Sequence, residues 1–300
     1  MSRVKGYLFI ASAATLWGAS ATLVKYLFNV QFHPLIIIQT RVSIAFLLLF
    51  LYFITTNPKS LKFKLKDVPL FFFVGVCGVA GSNYFYYFAI KESNVATAIV
   101  VQYSAPIMVA LYAIVVQHER MTKFKFFALI FSTFGIFLAV GGLNGLLVAN
   151  GKGILFALVA AVSYSIFNIA GKPLIGKYGV WPSLVFSLGA ATLFWMVIQT
   201  PQAIIEANYS FRDWQIFALV STTSILIPYS LYFLGLQFLT PTRAIITSTL
   251  EPVVAIVTAF IFLGGTMGVL QIIGAVFVIG SIILLETASE PAVKISNVQS

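Results

Sequence analysis

Charge is what this sequence has least of. Only 9% of its 300 residues are Asp, Glu, Lys or Arg, where soluble domains carry about 25%. With 60% hydrophobic residues and a mean hydropathy of +1.00, no single soluble core can hide so much apolar surface. A soluble globular protein is excluded, and a polytopic membrane protein follows. Cysteine is almost absent too: Cys77 stands alone, which excludes an intramolecular disulfide and a cysteine metal cluster. The two histidines, His33 and His118, sit at the ends of apolar runs and leave no material for a metal site. Aspartate occurs only at Asp67 and Asp213, both at segment edges, and there is no HExxH, GxSxG or Walker-type loop. A membrane hydrolase or acyltransferase needs clustered His, Asp or Ser, and a primary pump needs an ATP site. Neither is expected, and no metal or cofactor is.

The net charge is +10. In a soluble chain that would suggest nucleic acid. Here the basic residues lie in short joins between apolar runs, the pattern of cytoplasmic loops, so no nucleic-acid partner is expected. Arg3 and Lys5 before an apolar run look like the start of a signal peptide, but the run is too long for a signal core and its pattern recurs later. It reads as a retained first helix.

A membrane-spanning helix needs about 17–25 apolar residues. Ten stretches qualify: Gly6–Phe28, Pro34–Phe53, Pro69–Ile90, Val95–Gln117, Phe124–Val140, Gly153–Ala170, Trp181–Thr200, Trp214–Leu234, Thr242–Leu263 and Met267–Leu285. With the amino terminus inside, thirteen of the 18 lysines and arginines fall in cytoplasmic joins and three (Lys91, Lys152, Arg212) outside. That bias predicts both termini in the cytoplasm. The tail, residues 286–300, is polar and reads as disordered.

The chain also repeats itself. The segment from Gly6, GYLFIASAATLWGASATLVKYL, and that from Gly153, GILFALVAAVSYSIFNIAGKPL, align without a gap and pair Ala13 with Ala160 and Lys25 with Lys172. Further on, FYYFAIKESNVATAIVVQYSAPIMVA aligns with LYFLGLQFLTPTRAIITSTLEPVVAI, pairing Tyr86 with Tyr232 and Pro106 with Pro252. The expected architecture is an all-α membrane protein of ten transmembrane helices in two five-helix repeats, residues 1–150 and 151–285. An odd number of spans per repeat inserts the second upside down, the arrangement of secondary transporters that work by alternating access.

These residues resemble the EamA-like family of the drug/metabolite transporter superfamily. The resemblance rests on the small-residue first helix ASAATLWGAS, the second helix HPLIIIQTRVSIAFLLL, the fourth helix ATAIVVQYSAPIMVALYAIVVQHER and its partner RAIITSTLEPVVAIVTAFIFLGG. It implies a ten-helix carrier in a plasma (inner) membrane, often an exporter of amino acids and related metabolites, with a central cavity between the halves. The fourth helix ends in Glu119, as the family pattern expects, whereas its counterpart ends in Gly264-Gly265.

Glu251 in STLEPVVA is the first candidate for chemistry. A carboxylate near the middle of an apolar span costs about 2.5–3.5 kcal/mol on insertion scales. Its first-half counterpart is Ala105, so the repeat itself does not require an acid. It is suited to carry a proton or to pair with a substrate ammonium; the plainer reading is a hydrogen bond between helices. Arg41 lies eight residues into the second helix, about 10 Å deep, and is expected to pair with a carboxylate, of substrate or of Glu251, in a structural or gating role. Lys25 and Lys172, near helix ends, are either guides for substrate at the two mouths or snorkelling cations.

Residues three or four apart share a helix face. On that basis Ser248 and Glu251, Gln102 on the fourth helix, Asn83 with Tyr86, Tyr229 with Tyr232, Trp17 on the first, and Tyr164 with Asn168 on the sixth point to a cavity lined by aromatics. Such a pocket suits a small zwitterion with an apolar side chain. Tyr7, Tyr26, Tyr178 and Trp181 read instead as interfacial belts, the small residues of the first helix as packing sites, and Pro106, Pro228 and Pro252 as bending points. The leading expectation is therefore a carrier exporting amino acids or similar compounds, its partners being the substrate, the bilayer and, on the Glu251 reading, protons; a homo-oligomer is compatible. An organic-anion or sugar-phosphate carrier is the alternative suggested by Lys25, Arg41 and Arg243. A non-transporting sensor or scaffold is the alternative of a different class.

Overall fold

The computed structural model describes residues 2–29, 34–142, 150–263 and 268–287, and among them there is no strand. Helix α1 spans Ser2–Asn29 and α2 Pro34–Thr56. After two short turns, α3 (Val68–Phe72) runs through a π-helical stretch, Phe73–Ala80, into α4 (Gly81–Glu92). Then come α5 (Val95–Gln102), α6 (Ala105–Val115) and α7 (Lys123–Ala139). The second half opens with α8 (Gly151–Tyr178), α9 (Val180–Ile198) and the short α10 (Pro201–Glu206). It continues with α11 (Phe211–Ser221), a second π-helical stretch at Thr222–Leu226, and α12 (Ile227–Leu236). It closes with α13 (Pro241–Thr247), α14 (Leu250–Leu263) and α15 (Val269–Thr287).

Eight helical runs are long and apolar enough to cross a membrane. The predicted first and fifth spans coincide with α1 and the 17-residue α7, which are not among those eight. The large apolar side chains left uncovered, such as Leu8, Leu51, Val197 and Val276, line outward faces, as a hydrocarbon solvent demands. Both Gly264-Gly265 and most of the predicted tail lie outside the described residues.

The starts of several helices are written locally. Asn94 accepts a hydrogen bond from the Thr97 amide (2.8 Å) and Asn150 from that of Gly153 (2.7 Å), each satisfying a donor the first turn leaves free. Two spans, by contrast, break midway. Between α5 and α6 the chain makes a tight turn at Tyr103-Ser104, and between α13 and α14 at Ser248-Thr249. Proline causes both: it lacks an amide hydrogen and its ring clashes with the carbonyl four residues back, here Gln102 and Ser248. Pro106 and Pro252 therefore sit in the first turn of a new helix, and Pro228 likewise at the start of α12. Pro106 and Pro252 punctuate their spans at a turn, whereas Pro228 lies within an unbroken helical run, Phe211–Leu236.

Packing crosses between the halves. Helix α1 lies against α12 and α14, α8 lies against α4 and α5, and α2 packs on α9 and α7 on α15. Close approach of α1 to α14 depends on Gly18, where a Cβ would stand 2.5 Å from the carbonyl oxygen of Glu251. The small residues of the first helix thus set the backbone contact next to the acid.

Three sequence expectations are corrected here. Arg243 is not in a loop: it lies buried in α13 and its Nη1 donates to Tyr7 Oη (2.9 Å) and to the Leu285 carbonyl (3.2 Å). Tyr7, expected in an interfacial belt, is buried and donates to the same carbonyl (3.1 Å). The cation and the phenol share this carbonyl in the last turn of α15, where backbone acceptors lie beyond the reach of the helix's own donors. Lys172, read as a snorkelling cation or a guide at a mouth, donates to the carbonyls of Leu236 (2.6 Å) and Gln237 (2.9 Å). It caps the C-terminus of α12, where backbone acceptors lack intrahelical partners.

Candidate functional site

The breaks in the fourth and ninth spans expose side chains that an unbroken helix would have pointed elsewhere. Tyr103 leaves α5 at its last turn, and its phenol donates to Glu251 Oε2 at 2.7 Å. The same phenol stands 3.5 Å from the Ser248 carbonyl, the acceptor that Pro252 deprives of its usual donor. Glu251 is thus held from the other half of the chain by a residue that the reading of helix faces passed over.

Three further pairs surround it. Tyr164 donates to Ser248 Oγ (2.8 Å), Tyr232 donates to Asn168 Oδ1, and Asn168 Nδ2 donates back to the Tyr164 carbonyl (2.8 Å). Tyr232, Asn168 and Ser248 are fully buried, so these hydrogen bonds satisfy polar groups that would otherwise be costly. Arg41 does not pair with Glu251, as the sequence suggested. Its Nη2 donates to Asn83 Oδ1, while its buried Nε has no partner. Asn83 in turn donates to the Val79 carbonyl in the π-helical stretch (2.8 Å) and reaches Tyr229 Oη at 3.4 Å. Arg41 and Glu251 do not form an ion pair.

Aromatic rings fill the space between these groups. Trp17 packs on Tyr229 (5.1 Å between centroids) and Tyr232 (5.3 Å), and Phe167 packs on Tyr229 (5.5 Å) and Tyr232 (5.4 Å). The Trp17 indole donates to the Ser224 carbonyl (3.0 Å). That oxygen lies four residues before Pro228, which has no amide hydrogen to offer it, so the tryptophan makes good what the proline removes.

Of the predicted cavity residues, Trp17, Asn83, Tyr164, Asn168, Tyr229, Tyr232, Ser248 and Glu251 belong to these linked pairs. Tyr86 is half-buried against the small residues Ala89, Ala98 and Ala157. Gln102 ends α5 with its side chain half-buried. The side chain of Lys25 lies outside what the structure describes. Tyr103 and Phe167 were missed. For Tyr103 the signal was the SAP triplet beside it: a proline three residues on marks the turn that takes Tyr103 out of the helix.

The comparisons with known proteins decide the class. A family model described as the EamA-like transporter family matches residues 4–141 and again 151–287. The chain belongs to that family. It is therefore a membrane transporter of the drug/metabolite transporter superfamily, as the resemblance implied. This transporter is 28% identical to the threonine/homoserine exporter RhtA of Escherichia coli (strain K12), over 96% of this chain and 91% of that one. It is 24% identical to the uncharacterized inner membrane transporter YicL of Salmonella typhimurium, over 95% of this chain and 96% of the relative. A solved crystal structure aligns with a TM-score of 0.77 at 16% identity, covering 94% of this chain and 96% of the other; at that identity the likeness concerns the fold alone.

Proposed function

We propose that this transporter exports amino acids or closely related small zwitterions by alternating access, with residues 1–150 and 151–285 as inverted repeats, both termini cytoplasmic, in the plasma (inner) membrane. The observation that carries the reading is that Arg41 and Glu251, a cation and an acid not paired with each other, sit on different helices around one aromatic cluster, Arg41 through Asn83 beside Tyr229 and Glu251 through Tyr103. A zwitterion presents a carboxylate and an ammonium a few bonds apart. Arg41, with its Nε donor free of partners, suits the carboxylate. Glu251, whose second oxygen is not used by Tyr103, suits the ammonium or a proton travelling the opposite way. Trp17 and Phe167 supply the apolar wall such ligand sites ordinarily have. The matching breaks at Tyr103-Ser104 and Ser248-Thr249 support the repeat, since transporters build their binding sites from interrupted helices. The threonine/homoserine exporter among the relatives points the same way.

The organic-anion alternative loses one of its supports, because Arg243 is engaged inside the helix junction. Counterflow in proteoliposomes, with labelled threonine, homoserine and other amino acids set against labelled organic phosphates, tests the reading. Saturable counterflow with amino acids is expected, and counterflow with phosphates alone overturns it. Glu251→Gln should lower flux at least tenfold while leaving the protein monodisperse. Unchanged flux of that variant across a pH series would remove Glu251 from the mechanism.

A further inference from the structure

A groove of about 500 Å³ lies between α5–α6 and α7, on the far side of Tyr103 from Glu251. Val100, Tyr103 and Ile107 form one wall and Ile130, Phe134 and Phe137 the other. Of its lining, only Thr133 and Tyr103 carry polar atoms in their side chains, and the Tyr103 phenol is already engaged by Glu251. The volume falls within the range of about 300–1,000 Å³ typical of small-molecule sites. Its far wall continues into the outward face of α7, where Phe126, Phe127, Ile130 and Phe134 are exposed. In a membrane transporter that face meets hydrocarbon, so the groove opens onto the lipid and not onto water.

Charge marks one end of it. Seven residues are almost two helical turns, so Lys123 shares a face of α7 with Ile130 and, four further on, Phe134. At 1.5 Å per residue the groove wall runs from about 10 to about 21 Å below Lys123, which compares with the roughly 15 Å of hydrocarbon in one leaflet. Lys123 and Arg120 are exposed, and neither has an ion-pair partner among the described residues. Their neighbour Lys125 differs: it is buried and bonded to Glu119 at 2.6 Å. Two cations at the start of α7, about two helical turns above the apolar slot, match the two ends of one kind of molecule.

We propose that this groove is a binding site for an anionic phospholipid, its phosphate at Arg120 and Lys123 and one acyl chain lying between α5–α6 and α7. The chain then touches the outer side of the Tyr103 ring, and the site stands one phenol away from Glu251. This assignment needs only the membrane-spanning fold and not the proposed substrate.

Native mass spectrometry of the full-length protein, delipidated in detergent and then titrated with phosphatidylglycerol or phosphatidylcholine, tests it. The wild-type protein should retain at least fivefold more phosphatidylglycerol than phosphatidylcholine. Arg120→Gln with Lys123→Gln should bring the two lipids level, and Ile130→Trp, which fills the slot from an exposed position, should lower retention of both at least fivefold. Equal retention of the two lipids by the wild type, or undiminished retention by Ile130→Trp, overturns the proposal. Should Ile130→Trp fail to fold, phosphatidylglycerol carrying a diazirine in its acyl chain provides a second measurement on the wild type. Cross-links to Tyr103, Ile107 or Phe134 support the site, and cross-links confined to other helices overturn it.

Discussion

Removing one oxygen atom tests the centre of the site. In Tyr103→Phe the ring keeps its packing and only the hydroxyl that donates to Glu251 Oε2 at 2.7 Å is lost. A hydrogen bond of this kind contributes about 0.5–1.5 kcal/mol when both partners are neutral and about 1.5–3 kcal/mol when one is charged. The buried carboxyl would be left without its donor, so we expect a loss of about 1–3 kcal/mol. At roughly 2–4 °C per kcal/mol for a large domain, the midpoint of thermal unfolding in detergent should fall by about 2–12 °C. A double-mutant cycle with Glu251→Leu separates the hydrogen bond from the rest. If the contact is real, the second substitution costs less once the first is made, with a coupling of at least about 1 kcal/mol. A midpoint shift below 1 °C for Tyr103→Phe, or strict additivity in the cycle, would refute the claim that Tyr103 holds the acid.

Gly18→Val should be among the most damaging single changes in the chain, at about 3 kcal/mol or more, because its side chain meets backbone atoms of α14 that have nowhere to go; Ala19→Val, on an exposed position, is the control, and equal unfolding midpoints would refute the contact. Arg41→Met leaves Asn83 Oδ1 without its donor and should cost about 1–3 kcal/mol of stability as well as flux; wild-type flux would exclude Arg41 from substrate binding. Lys172→Met uncaps two carbonyls of α12 and should lower the unfolding midpoint by a few degrees, about 1–2 kcal/mol, while leaving the KM for substrate unchanged; a shifted KM would return Lys172 to the transport path.

What was legible in the sequence, and what was not, divides along physical lines. Long apolar runs announce helices because backbone groups in hydrocarbon have no other partner, and the paired Pro106 and Pro252 announce matching breaks. Choosing residues by face picked out side chains that the structure links where the helix is regular, as for Tyr164 and Asn168 on α8. It failed at Tyr103 because choosing Gln102 for the inner face of the fourth helix assumes an unbroken helix, and the turn at Tyr103-Ser104 removes that assumption. The charged residues were harder still. Arg41 with Asn83, and Arg243 with Tyr7, are pairings made by tertiary packing between distant segments, which neither spacing nor composition records. The two π-helical stretches left no periodic trace either, although Pro228 directly after the second one hinted at a disturbed turn.

Those stretches, Phe73–Ala80 and Thr222–Leu226, give the third and eighth spans something their neighbours lack. A π turn holds more than the 3.6 residues of an α turn, so each span stores surplus backbone within its own length. Paying that surplus out turns everything beyond it about the helix axis, with Asn83 and Tyr229 riding on the moving part. Here the slack is pinned by side chains, Asn83 on the Val79 carbonyl and Trp17 on that of Ser224. Releasing either pin swings a polar group of the site without unwinding a helix.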